Sequence, residues 1–125
     1  MKVFEFLRSV YDAKNGTTTS FLQFKKIVEP LLAEIKLDKD FLRREVNVGF
    51  SGGERRKLEI LQLKLLQPTY IFLDEIESGL DVDAFKSIAK LLEKIYTKNN
   101  SLIIITHLFK IIEHIPINEV FIMEK

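Results

Sequence analysis

The chain contains no cysteine. Disulfides, thiol catalysis and cysteine-ligated metals or clusters are therefore excluded within it. A chain without disulfides fits an intracellular, reducing compartment. No apolar run approaches the roughly 18 residues that a bilayer-spanning helix needs. The N-terminal residues also lack a signal-peptide layout, because Lys2, Glu5 and Arg8 interrupt their apolar neighbours. Neither charge sign dominates: 19 basic against 18 acidic side chains leave a formal net charge of +1. Bulk electrostatics thus gives no reason to expect nonspecific attraction to nucleic acid or anionic membrane. Internal repeats and low-complexity segments are also missing. What the chain does have is apolar content, 46% of 125 residues, enough to bury the core of one small domain. The expectation at this level is a soluble intracellular domain.

Apolar spacing predicts a helix over residues 3–11, carrying Val3, Phe6, Leu7, Val10 and Tyr11. The run NGTTTS (15–20) reads as a loop, with Thr19 or Ser20 available to cap the next helix. Phe21, Phe24, Ile27, Val28, Leu31, Leu32 and Ile35 form one stripe of that helix, and Pro30 should kink or break it. Asp38 can cap a short third piece holding Phe41 and Leu42. A longer helix runs from Ser51 to about Leu66, with Leu58, Leu61 and Leu65 on one side, and Pro68 ends it.

Past Pro68 the texture changes. YIFLDE (70–75) and SLIIITH (101–107) are apolar runs ending in polar groups, and runs apolar throughout predict strands covered on both faces of a parallel sheet. Between them Asp81 caps a helix with Phe85, Ile88, Ala89, Leu92, Ile95 and Tyr96 at three- and four-residue spacing. A short helix (109–114) and a strand (119–123) complete the order. The fold class is therefore α/β: a helical subdomain over residues 1–67, then a three-stranded parallel βαβαβ portion over 68–125. Three parallel strands leave two open edges.

In open α/β sheets, ligands gather at the carboxyl ends of the strands. Asp74 and Glu75 end one strand and His107 another, and a right-handed crossover brings such strands together. An aspartate there can hold Mg²⁺ through water, a neighbouring carboxylate can orient or deprotonate a water, and a histidine can contact a phosphate. Taken singly, each has a structural reading: a polar strand end, or a packed histidine. His114 sits on a helix face and receives no role. Taken jointly, paired acids and a Thr-His at βαβ spacing favour a site.

Two consecutive glycines at a helix entrance are poor choices for stability alone. In FSGGE (50–54), Ser51 can cap the helix while the amides of Gly52 and Gly53 face outward, toward an anion drawn by the positive helix end. Glycine lets a backbone approach a phosphate that a side chain would block. The other reading of SGG is a plain glycine-rich turn, and of Arg55-Arg56-Lys57 a solvated face.

Together these residues resemble the ABC ATPase family, a P-loop NTPase-like fold. FSGGE (50–54) resembles its signature, YIFLDE (70–75) its Walker B strand, SGLD (78–81) its D-loop, and Thr106-His107 its H-loop. Within that family, VNVGFSGGERRKLEILQ and LDEIESGLDVDAF are similar to the SufC group, ATPases of the Suf iron–sulfur cluster assembly machinery. Leu58, Glu77 and Leu108-Phe109 depart from that group's pattern. No G-x-x-x-x-G-K-[ST] occurs in these 125 residues, so the chain looks like the second half of a cassette, without Walker A.

The resemblance implies Mg-dependent ATP hydrolysis by the parent protein in a head-to-tail dimer. Ser51, Gly52, Gly53 and Glu54 would serve ATP held by the partner; Asp74 would hold Mg²⁺ through water. Glu75 would be the catalytic carboxylate, His107 the phosphate contact, and Ser78, Gly79, Leu80 and Asp81 the coupling D-loop. It implies SufB/SufD-type scaffold partners, no direct contact with nucleic acid, and a cytoplasmic or plastid-stromal location. The isolated chain is expected to be inactive in ATP hydrolysis. Other readings are the ATP-binding subunit of a membrane transporter, an SMC-type head fragment acting on DNA, and a non-catalytic interaction fragment. No heptad run before residue 46 supports the SMC-type reading.

Overall fold

The computed structural model describes residues 1–76, 79–97 and 99–106. The expected helix 109–114, the strand 119–123, Ser78, His107 and His114 lie outside the described residues.

Helix α1 (Val3–Asn15) runs one turn further than its apolar spacing requires, and stops where Gly16 takes a left-handed φ of 64° and returns its N–H to Asp12. The connection to α2 (Phe21–Glu34) is pinned by Asp12, whose carboxylate accepts from Thr17 and from both the amide and hydroxyl of Thr19. That occupies Thr19, and the cap of α2 falls to Ser20, in a reciprocal capping box with Gln23. Helix α2 continues through Pro30, so the break expected there does not occur. The carbonyl that Pro30 leaves without a donor is on Lys26, and both residues face solvent, so water can satisfy it. Buried Val28 and Leu32 hold the helix on either side.

A short 3₁₀ helix (Lys39–Arg43), capped by Asp38, buries Phe41 and Leu42. Helix α3 (Gly52–Leu66) follows, then strand β1 (Tyr70–Asp74), helix α4 (Val82–Ile95) and strand β2 (Ser101–Ile105). Asp81 caps α4 by accepting from the Ala84 amide at 2.7 Å. The core is continuous from Val3, Leu7, Phe24 and Leu32 through Leu58 and Leu61 to Ile88 and Leu92, all almost fully buried. Burying each such side chain contributes about 1.5–3 kcal/mol.

β1 and β2 pair in parallel, from Tyr70 opposite Ser101 to Asp74 opposite Ile105. Their carboxyl ends therefore share one rim. Coverage differs from the expectation of strands buried on both faces. Ile71 is buried and Leu73, Leu102 and Ile104 are half-buried, but Tyr70 is 70%, Phe72 68%, Ile103 44% and Ile105 52% exposed. A continuous apolar run reports that a strand can be covered twice; whether it is depends on which other elements lie near.

Candidate functional site

The sequence around Ser51 folds locally into an N-terminus with both halves of a capping box. The Glu54 amide donates to the Ser51 hydroxyl at 3.1 Å, and the Ser51 amide donates to the Glu54 carboxylate at 3.0 Å. Ser51 is exposed, and Gly52 and Gly53 are half-buried. The two glycines are not equivalent. A β-carbon on Gly52 would stand 2.5 Å from the carbonyl oxygen of Gly79, whereas one on Gly53 would meet nothing closer than the Ser51 hydroxyl at 3.9 Å. Gly52 is thus required by the chain itself, where the FSGGE and SGLD stretches pack backbone to backbone.

Glu54 is engaged on both oxygens. One accepts from the Ser51 amide; the other accepts from the Arg44 guanidinium. The Ser51 amide is the largest influence holding the Glu54 carboxyl below its usual value; partial burial opposes it, and Arg44 adds to it. Arg44 also donates to the Gly49 carbonyl at 2.8 Å, and its guanidinium lies 4.7 Å from the Phe50 ring and 5.6 Å from that of Phe41.

Asp74 closes β1 and is exposed; Glu75 is the first residue beyond the strand. The Glu75 amide donates to the Ile105 carbonyl at 2.7 Å, while its φ of 50° turns the chain sharply out of the sheet. A non-glycine residue in this left-handed region is uncommon, and such residues concentrate at functional positions. The Glu75 carbonyl accepts from Arg56 at 3.3 Å, and Arg56 also pairs with Glu59. Of the basic run, Arg55 faces solvent, but Arg56 ties α3 to the end of β1.

The structure therefore joins the head of α3 to Gly79 through Gly52, and the body of α3 to the end of β1 through Arg56 and the Glu75 carbonyl. Ser78 and His107 lie outside the described residues. Among the described residues no group of three or more His, Asp or Glu side chains could hold a metal ion. An exposed carboxylate such as that of Asp74 is chemically suited to a hard cation whose other ligands are water and phosphate, as is usual for Mg²⁺. Sequence reading missed Arg44 and the reach of Arg56. Neither belongs to a periodic pattern, and only the pairing of Phe41 and Phe50, rings 4.9 Å apart, makes Arg44 conspicuous.

Solved structures show the fold. A dimeric ATP-binding cassette in a post-hydrolysis state bound to ADP and Pi superposes with a TM-score of 0.72, over 89% of this chain and 48% of that one, at 20% identity. "An inward-facing conformation of a putative metal-chelate type ABC transporter" gives 0.71, over 92% and 46%, at 19% identity. The fold is that of part of an ABC ATPase cassette.

Sequence narrows the likeness. The chain is 42% identical to the "Probable ATP-dependent transporter ycf16" of Antithamnion sp., over 97% of this chain and 50% of the relative. It is 38% identical to the "Iron-sulfur cluster assembly protein SufC" of Plasmodium falciparum, over 97% and 36%. It is 44% identical to the chloroplastic "ABC transporter I family member 6" of Arabidopsis thaliana, over 82% and 30%. No family model matches. The chain is thus similar to part of the ABC ATPase SufC, and it spans half or less of the length of these relatives.

Proposed function

We propose that this chain is the signature and Walker B portion of a SufC-like ATPase that serves iron–sulfur cluster assembly. The observation that carries the reading is the packing of Gly52 in FSGGE against Gly79 in SGLD, in a chain similar to SufC. Residues 1–67 form its helical subdomain and 68–125 its part of the catalytic core. The amides of Gly52 and Gly53 and the Ser51 hydroxyl face the phosphates of ATP held mainly by a second chain, where the positive end of α3 favours negative charge. Glu54 holds that edge in shape. Asp74 would hold Mg²⁺ through water, and the bound ion would neutralise phosphate charge. Glu75 orients the attacking water, His107 contacts the phosphate, and Ser78–Asp81 couple the two sites of a head-to-tail dimer. SufB/SufD-type scaffolds are the partners, in a cytoplasm or plastid stroma.

Complementation tests the reading. A full-length SufC relative with a disabled signature supplies P-loop, Walker B and bound Mg-ATP; this chain supplies Ser51–Glu54. Wild-type chain should restore ATP turnover to the mixture, and Ser51→Arg should not. Failure of the folded wild-type chain to restore turnover would overturn the proposal. Alone, the chain should hydrolyse ATP at background rates, since its 125 residues hold no G-x-x-x-x-G-K-[ST].

A second reading, the ATP-binding subunit of a membrane transporter, draws on the names of the ycf16 and Arabidopsis relatives. No described helix is long and apolar enough to cross a membrane. Co-purification with a permease rather than a soluble scaffold would favour it.

A further inference from the structure

Arg44 makes contacts that bracket the FSGGE stretch from both sides. One terminal nitrogen donates to the Gly49 carbonyl, before the stretch; the other donates to Glu54, at its end. The guanidinium lies over Phe50, the first residue of the stretch, and Phe50 is 8% exposed. The root of the side chain is itself anchored. The Arg44 amide donates to the Phe41 carbonyl at 3.2 Å, and the Arg44 carbonyl accepts from Val3, the first residue of α1, at 2.9 Å. The intervening loop needs such a brace, because Asn47 and Gly49 both hold positive φ, at 59° and 69°.

We infer that Arg44 is a positioning residue for the phosphate-facing edge of α3, acting through Glu54 and Gly49 and not by touching nucleotide. This rests on the reading above that Ser51–Gly53 meets nucleotide held by a second chain. The side chain of Arg44 is 36% exposed and that of Glu54 30%, and partly exposed pairs contribute little to global stability. What the fork adds is direction: it engages a carbonyl and a carboxylate at once from a stacked plane, which a lysine cannot do. The Ser51 amide, which Glu54 accepts, is thereby held in one orientation relative to Phe50 and Gly49. An edge held this way does not have to be ordered when ATP arrives.

The test uses the 125-residue chain in wild-type, Arg44→Ala, Arg44→Lys, Glu54→Gln and doubly substituted forms. In Arg44→Ala, backbone order parameters of Gly49–Gly53 should fall from the rigid range near about 0.85 toward about 0.6, with those of α4 unchanged. Glu54 should titrate at higher pH, and turnover in the complementation mixture should drop about tenfold or more. Arg44→Lys should recover part of the Glu54 titration and little of the order. Glu54→Gln keeps a capping-box side chain and removes the ionic partner, so it probes the link with the helix cap intact. Adding it to Arg44→Ala should loosen the edge no further. Unchanged order and titration in Arg44→Ala, or turnover restored equally by the wild-type and Arg44→Ala chains, would overturn the inference. If Arg44→Ala loosens the edge but the wild-type chain never restores turnover, Arg44 still positions the edge and the nucleotide reading is what fails.

Discussion

Gly52 at the head of α3 and Gly79 in the SGLD stretch meet backbone to backbone, so closely that a β-carbon on Gly52 would stand 2.5 Å from the Gly79 carbonyl oxygen. This contact joins the two stretches within a single chain.

Gly52→Ala forces that backbone apart, because neither partner is a flexible side-chain end. The expected cost is about 1–3 kcal/mol, read as a lowered denaturation midpoint. Gly53→Ala, with open space, should be neutral or stabilising within about 1 kcal/mol. Equal behaviour of the two variants would deny the contact.

Pro30 interrupts the hydrogen-bond ladder of α2 without ending the helix. Replacing it by alanine restores a donor to the Lys26 carbonyl and removes the ring. Pro30→Ala should raise stability by up to about 3 kcal/mol in urea unfolding. A destabilised variant would mean that the proline has packing work to do on this exposed face.

Acid should weaken the fold through its paired carboxylates. Lys64, by hydrogen bond and then by charge, holds Glu34 below its usual value near 4.5, and the Ser51 amide does the same for Glu54. With folded values depressed, their stabilisation is present above pH about 4.5 and is lost as pH falls through the lowered folded values. Denaturation midpoints measured against pH should show this acid limb. Lys64→Met should flatten the share due to Glu34, and a midpoint independent of pH between 3 and 5 would refute the assignment.

The exposed face made by Tyr70, Phe72, Ile103 and Ile105 is apolar, and such faces invite association. Sedimentation should show concentration-dependent self-association of the chain. Phe72→Thr keeps strand propensity while removing the ring, and should reduce association with little change in the melt. Monomeric behaviour of the wild type at all concentrations would count against it.

Most of the element types were legible in the sequence because their signals are local. Ser20 with Gln23, and Ser51 with Glu54, are cap pairs written three residues apart. Asp81 precedes an apolar stripe at helical spacing, and YIFLD and SLIII are short apolar runs bounded by polar residues. The motifs were legible for the same reason: FSGGE, YIFLDE and SGLD are contiguous. The choice between Thr19 and Ser20 as a cap was not, since it turned on Asp12, one helix earlier.

What the sequence determined by itself was thus, among the described residues, the helices and strands and the caps at Asp38, Ser51 and Asp81, each decided by neighbours within a turn. Only the tertiary structure decided why Gly52 must be glycine, that Arg44 clasps both ends of FSGGE, that Arg56 reaches the Glu75 carbonyl, and that one sheet face stays open. Each of these joins residues from separate elements. Their energy appears only when packing brings the elements together, so no local pattern along the chain could carry it.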